Sequence, residues 1–292
     1  MIYLSRFILP SEKEENDAIM LEHRTCFNTF YPYKVFPPKQ LRSIVLDRIT
    51  MFYGGNGSGK STLINLMARK VRADRYSDFN DSPKFDEFAG KCRVEYNRCP
   101  DVSMVLTSDD VFDYALSARS VNEAIDEKRN ALVDKYFQIS NEAALNPQVM
   151  RLRGLDDFER WSEMHEILSP KKSQSNYIKK RVPRDIDLHS NGETAFRYFL
   201  DKIDGDALYF LDEPENSLSI EFQIELAKYI SATAVATRSQ FIIATHSPIF
   251  LSMKDSKVYN LDDCPAGPCE WTELPNVRKY FDFFMEHKGE FK

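Results

Sequence analysis

The sequence has no apolar run approaching the roughly 20 residues that a membrane-spanning helix requires, so it reads as a chain without a membrane span. It has no cysteines in Cys-x-x-Cys spacing. The 5 that it has, Cys26, Cys92, Cys99, Cys264 and Cys269, are odd in number and scattered. That excludes a disulfide framework and reads as reduced thiols. Cys264 and Cys269 bracket the turn-rich Pro265-Ala266-Gly267-Pro268, between the strand-like runs Lys257 to Leu261 and Glu270 to Leu274. They are expected to face each other across a hairpin, with no nearby His to make a metal site. The start of the chain lacks the basic stretch, apolar segment and small-residue cleavage site of a secretory signal, and the expected location is cytoplasmic. There is also no excess of positive charge: 39 Lys+Arg face 45 Asp+Glu, a formal net charge of −6. A protein whose whole surface grips nucleic acid is thereby excluded, whereas a local basic face is not. No heptad pattern is sustained over three or four repeats, which argues against a long coiled-coil arm, and there is no internal repeat.

What is present is a folded chain of 292 residues, 42% hydrophobic and 13% aromatic. That is enough for one large α/β domain or two small ones. Ser43 to Tyr53 is rich in β-branched and aromatic residues and runs into Gly54-Gly55-Asn56-Gly57-Ser58-Gly59-Lys60-Ser61-Thr62, after which Ser61 to Val71 is helical in composition. Strand, glycine loop and helix are the order that a phosphate site needs. Backbone N–H groups of Gly55, Asn56, Gly57, Ser58 and Gly59 can converge on a polyphosphate because glycines put no Cβ in the way. The helix then aims its positive end at the phosphates. Lys60 is expected at the β/γ oxygens, with Ser61 and Thr62 beside it. The Ser61 hydroxyl is expected to hold Mg²⁺ together with a carboxylate.

That carboxylate is expected at Asp212-Glu213-Pro214, which follows the continuous apolar run Ala207 to Leu211. Runs without alternation suit parallel strands covered on both faces. Asp212 is the metal residue, and Glu213, one residue on, is the group that polarises the attacking water. Phe241 to Thr245 is a second such run and delivers His246 to a strand end, where it can sense the γ-phosphate. Between the two strands lies a helix with Ile220, Ile224, Ala227 and Ile230 on one stripe. These pieces predict a doubly wound, mostly parallel sheet with an N-terminal antiparallel portion.

Ser108 to about Arg184 is long, charged and helical in pattern, with Phe112, Leu116, Ile125, Leu132 and Tyr136 as apolar positions. It reads as a helical subdomain inserted in the sheet domain. Its end, Pro170 to Arg184, carries Lys171, Lys172, Lys179, Lys180, Arg181 and Arg184 as a basic connection. The expected layout is residues 1–107 with the phosphate loop, 108–187 inserted, 188–256 with the strand ends, and 257–292 as a hairpin and helix. Ser190-Asn191-Gly192-Glu193 opens a helix as a capping box, with Glu193 three residues after Ser190. A Ser/Gly helix start is an exposed anion site, and its expected occupant is the γ-phosphate held by a second copy.

The order of phosphate loop, Ser-x-Gly-Glu, strand-Asp-Glu-Pro and strand-Ala-Thr-His resembles that of the ABC-type P-loop ATPases. Glu193, where transporters commonly carry Gln, is closer to the SMC, RecF and OLD-like branch and its small stand-alone AAA-family ATPases, many attached to anti-phage defence modules. The resemblance implies a head-to-tail homodimer enclosing two MgATP. Lys60, Ser61 and Asp212 would bind nucleotide and metal, Glu213 would be the base, His246 the γ-phosphate switch, and Ser190 and Gly192 the contacts in trans. It further implies ATP hydrolysis coupled to a separate effector protein or to nucleic acid, with no membrane partner. The alternatives are the cytosolic ATPase subunit of a transporter, and an ATP-sensing scaffold with weak hydrolysis. Asn191 stands where glycine is usual, and Ser219 where an interfacial Asp is often found. The Gln that joins nucleotide to the helical subdomain has Ser108 or Asp109 as counterpart, and the adenine-stacking aromatic is one of Tyr31, Tyr33 and Phe36. With about 45 residues after His246, no fused output domain is expected.

Overall fold

The computed structural model describes residues 1–22, 29–145, 162, 167, 174–179, 181–183 and 191–291. Two compact units divide the chain: Met1–Asp113 with His189–Lys292, and Tyr114–Leu188. The strands are β1 (Leu4–Ile8), β2 (Ser43–Val45), β3 (Ile49–Tyr53), β4 (Arg93–Tyr96), β5 (Ser103–Thr107), β6 (Leu208–Asp212), β7 (Gln240–Ala244), β8 (Lys257–Asn260) and β9 (Gly267–Cys269). The helices are α1 (Glu12–Met20), α2 (Lys60–Val71), α3 (Phe85–Lys91), α4 (Ser108–Leu145), α5 (Gln174–Lys179), α6 (Asn191–Lys202), α7 (Ile220–Ala236), α8 (Pro248–Leu251) and α9 (Pro275–Glu286).

The first unit is built on a sheet of order β5-β6-β7-β3-β8-β9, parallel except for β9. Alternate residues of its central strands feed two cores, one on each face. Phe52, Leu208, Phe210, Ile242 and Ala244 pack with α2 and α3. Met51, Tyr53, Tyr209, Leu211, Phe241 and Ile243 pack with α6 and α7. Burial on both faces is why these strands read as unbroken apolar runs. A second sheet, β2-β1-β4, is antiparallel. The doubly wound parallel sheet with an antiparallel N-terminal portion is therefore present.

Three local expectations are corrected. Ser43 to Tyr53 is not one strand: β2 joins the antiparallel sheet and β3 the parallel one. The chain turns between them, with Asp47 N–H donating to Thr50 Oγ1 at 2.8 Å. In α7 the buried positions are Leu226, Ala227, Ile230, Thr233 and Ala234, while Ile220 and Ile224 are exposed, because the side that faces the core and α6 is the one carrying Phe222, Leu226 and Ile230. At the hairpin after β8 the return strand is Gly267–Cys269, and 271–273 forms a 3-10 turn. Cys269 pairs with Val258 across the ladder, and Cys264 lies in the turn with its thiol on Pro38 O, so the two do not face each other. Cys26 lies outside the described residues.

Helix α4, Ser108–Leu145, begins in the first unit and continues in the second, where Ala118, Ile125 and Ile139 are buried. Of the apolar positions named in this segment, Ile125 is buried, while Phe112 and Leu116 are exposed. Of the basic connection, Lys179 and Arg181 are described; Lys171, Lys172, Lys180 and Arg184 lie outside the described residues. No described helix is long and apolar enough to cross a membrane.

Two side chains join the two sheets: the Tyr259 hydroxyl of β8 bonds the N–H and O of Val45 in β2, and Gln240 makes a larger set of bonds. Gln240, fully buried at the start of β7, accepts from Tyr3 N–H and Leu4 N–H at 2.9 Å each and donates to Leu4 O at 2.8 Å and Asp47 O at 2.9 Å. Leucine has the same bulk but leaves these backbone groups without partners. Gln240→Leu is expected to cost about 2–4 kcal/mol, read by urea unfolding. A loss under about 0.5 kcal/mol would show that water replaces the amide.

Candidate functional site

Because β5, β6, β7 and β3 are parallel, their C-terminal ends line one edge, where open α/β sheets bind ligands. Register places Thr107 beside Asp212 and Asp212 beside Ala244. The glycine loop leaves β3 at this edge. A Cβ on Gly54 would stand 2.4 Å from Ser58 Oγ, and Gly59 turns into α2 at φ +94°, a conformation that only glycine adopts without strain. Both glycines are therefore dictated by the path of the loop.

Lys60 opens α2 and is only 5% exposed. Its ammonium donates to Gly54 O at 2.8 Å and Gly55 O at 3.4 Å and lies 3.3 Å from Glu213 Oε1. Ser61 Oγ donates to Asp212 Oδ1 at 3.0 Å. Two segments about 150 residues apart in sequence thus meet, as the expected metal site requires. The hydroxyl of Ser58 is buried inside the loop, with no hydrogen-bond partner among the described residues. An orphaned donor beside a buried lysine fits a phosphate, and a hydroxyl paired with a carboxylate supplies the hard oxygens that Mg²⁺ prefers. The residues present fit MgATP, with Ser61 and Asp212 to hold the metal.

The two acids differ. Burial pushes Asp212 up to about 6, against the Ser61 hydrogen bond. For Glu213 burial also acts upward, but the Asn216 hydrogen bond and the Lys60 ammonium outweigh it and hold the carboxyl below its ordinary value. Asn216 Nδ2 donates to Glu213 Oε2 at 2.9 Å. Glu213 itself sits at φ 48°, ψ 53°, a left-handed conformation that is costly for a side chain with a Cβ and clusters at functional positions.

Because the folded ligand-free protein holds the Asp212 proton more tightly than the unfolded chain, its stability should fall as pH rises from about 4 to about 6 and then level off. The size is on the order of 1–3 kcal/mol. Asp212→Asn removes that slope and should be the more stable protein at pH 7 without metal. Urea unfolding of both proteins across this range checks it, and parallel curves would refute it.

A cleft of about 650 Å³ runs from the loop along α2, with Asn56 through Thr62, Asp212 and Glu213 on its wall. Tyr31 lines it, its hydroxyl donating to Thr62 Oγ1 at 2.9 Å. Tyr33 and Phe36 do not line it. Tyr33 bonds Glu87 Oε1, and Phe36 packs beneath Gly59. Ser108 and Asp109 both line the cleft, and Thr107 and Asp110 form a reciprocal cap at the start of α4. Arg75 and Phe79, which no motif marks, also line it. The guanidinium lies 4.4 Å from the Phe79 ring centre and is anchored on Asn65 Oδ1 and Ser77 O. A polar loop without a motif gives little sequence signal; the hint is the arginine and the aromatics, Tyr76 and Phe79, shortly after the phosphate helix.

His246 follows β7 with its Nδ1 4.0 Å from Glu213 Oε1 and 3.2 Å from Glu215 Oε1. Asn191, Gly192 and Glu193 begin α6, away from the cleft. Gly192 packs against the Phe222 ring, and Glu193 pairs with Arg197 at 3.1 Å. Ser190 lies outside the described residues. Ser219 caps α7, accepting from Phe222 N–H.

A family profile described as "AAA domain, putative AbiEii toxin, Type IV TA system" matches residues 107–252, half of the chain. A curated relative, "Petrobactin import ATP-binding protein YclP" of Bacillus subtilis, is 22% identical over 228 residues, 76% of each chain. Among solved structures, an Smc head domain bound to the C-terminal domain of ScpA, from Pyrococcus furiosus, is 14% identical with TM-score 0.42, covering 99% of this chain and 100% of that one. The SMC head domain from Thermotoga maritima is 15% identical with TM-score 0.40, covering 92% and 99%. A nucleotide-free ATP-binding cassette from an ABC transporter is 14% identical with TM-score 0.41, covering 96% and 99%. The chain belongs to this AAA-domain family.

Proposed function

We propose that the chain hydrolyses ATP with Mg²⁺, that two copies enclose two nucleotides head to tail, and that the nucleotide state is passed to a separate effector protein within an anti-phage system. The observation that carries the hydrolytic reading is the meeting of Lys60 with Glu213 and of Ser61 with Asp212 at one strand edge. Lys60 and the loop hold the β/γ oxygens, and Mg²⁺ neutralises phosphate charge. Glu213, kept ionised, accepts the proton of the water that attacks the γ-phosphorus as the bond to ADP breaks. His246 stands next to this acid and is suited to contact the γ-phosphate. The placement of Gly192 and Glu193 outside their own cleft suits a contact made in trans, with Ser190 at the helix start.

A second reading, the ATPase subunit of an importer, is favoured by the likeness to YclP. The test is phosphate release by the purified chain with and without Mg²⁺, together with its mass in ATP. Mg²⁺-dependent release and a species of twice 34.0 kDa support the switch. Release by a strict monomer would sink the head-to-tail arrangement, and recovery with a membrane permease would favour the importer.

A further inference from the structure

One acid beside the cleft holds neither phosphate nor metal in the reading above. Glu215 lies three residues after Asp212, in the 3-10 turn Pro214–Ser217, with its side chain only 4% exposed. Its Oε1 accepts from Thr245 Oγ1 at 2.7 Å, from His246 N–H at 2.7 Å and from Ser247 N–H at 3.2 Å, and His246 Nδ1 stands 3.2 Å from the same oxygen. The three hydrogen-bond donors and the imidazole nitrogen that meets the same oxygen as an ion-pair contact all come from the turn after β7. Among the described residues its one ion-pair partner is His246, and its Oε2 is buried without a hydrogen-bond partner. A carboxylate so enclosed is costly unless donors are fixed around it. Here they are fixed on one oxygen, and they tie the Asp212-Glu213 turn to the His246 turn. A further link closes the same joint: Ser247 Oγ donates to Gln223 Oε1 at 2.7 Å, and Gln223 Nε2 donates to Leu218 O at 3.1 Å.

His246 Nδ1 therefore sits between two carboxylates, nearer to Glu215 than to Glu213. We propose that Glu215 is a positioning residue for the reaction: it holds the His246 ring with the proton on Nδ1, leaving Nε2 as the nitrogen free to meet a phosphate oxygen. A carboxylate beside one ring nitrogen draws the proton to that nitrogen and so sets the state of the other. Without the Glu215 charge, Nδ1 has only the more distant Glu213 to answer, and the ring is no longer committed to one tautomer. The proposal rests on the hydrolytic reading above only for its kinetic consequence.

The test uses the full chain with Glu215→Gln, which keeps an oxygen for the backbone N–H groups and removes the charge. Phosphate release should fall at least 10-fold while KM for ATP stays within about 3-fold. In the His246→Ala background the same change should alter release less than 2-fold. In ligand-free protein at neutral pH, ¹⁵N spectra of the His246 ring, assigned by its loss in His246→Ala, should show the proton on Nδ1 in the natural sequence and a shift toward Nε2 in Glu215→Gln. Equal fractional losses with and without His246, or a natural-sequence ring protonated on Nε2 alone, would overturn the proposal. The second outcome needs no variant to fold. If the natural chain releases no phosphate, the hydrolytic reading is what fails, and the spectra still decide the role of Glu215.

Discussion

Glu213→Gln is expected to lower phosphate release by about 10³-fold while ATP binding stays within about twofold. An amide has nearly the shape of the carboxylate, and its oxygen can keep the Asn216 hydrogen bond at 2.9 Å. It cannot accept the proton of the attacking water. Removal of a positioned general base is worth about 10²–10⁴ in rate, or about 4 kcal/mol of barrier at 10³-fold. The upper part of that range fits here because the residue is already poised to act as a base. Its carboxyl is held below its ordinary value beside Lys60, and its backbone is locked in a left-handed turn. The lost charge also removes repulsion toward the γ-phosphate, so the nucleotide stays bound. If two copies enclose the nucleotides, the variant should accumulate in ATP as a species of twice 34.0 kDa. Single-turnover phosphate release and native mass measurement read both effects. A nucleotide-loaded variant that remains strictly monomeric would sink the head-to-tail arrangement, and release within 10-fold of the natural chain would remove Glu213 from the role of base.

The parts of this site that were legible in sequence are those whose chemistry is carried by neighbours in the chain. Gly54 through Thr62 is one turn followed by one helix, and Asp212 and Glu213 are the end of one strand, so local composition suffices to place them. The strand ends also brought His246 to the edge without knowledge of any contact. What could not be read is set by pairing across long separations. Gln240 meets Tyr3 and Leu4 from 237 and 236 residues away, and nothing in a single polar residue at a strand start announces four backbone partners. Glu215 reads as one more acid in a polar turn, and only the approach of β7 beside β6 makes it a clamp on His246. The misplaced stripe of α7 has a related cause. Ile220 and Ile224 have helical spacing, but the covered side of that helix runs through Phe222, Leu226, Ala227 and Ile230, and which side is covered depends on α6. The break between β2 and β3 was hidden because both halves are apolar and β-branched, although they serve different sheets.

Lys60→Ala is expected to weaken ATP binding at least 100-fold. The ammonium is almost wholly buried, and in the ligand-free protein it is held by Gly54 O, Gly55 O and Glu213 Oε1. It is the one cation that the loop itself aims into the cleft, and phosphate oxygens would take the place of these weaker partners. Alanine removes the charge without adding bulk, and α2 keeps its start at Gly59. The loop should therefore persist while its affinity is lost. Thermal or urea unfolding reads this directly, because a ligand that binds only the folded chain stabilises it by RT ln(1 + [L]/Kd). At ATP 100-fold above the natural Kd the natural chain should gain about 2.7 kcal/mol, and a variant bound 100-fold more weakly only about 0.4 kcal/mol. The variant should also be less stable without nucleotide, since Glu213 loses its cation and the two carbonyls lose a donor. That cost is on the order of 1–3 kcal/mol. The two effects separate by ligand: the second is present in buffer alone, and the first appears only when ATP is added. A Lys60→Ala protein that still gained about 2 kcal/mol or more from ATP at that concentration would show that the phosphates bind elsewhere in the cleft.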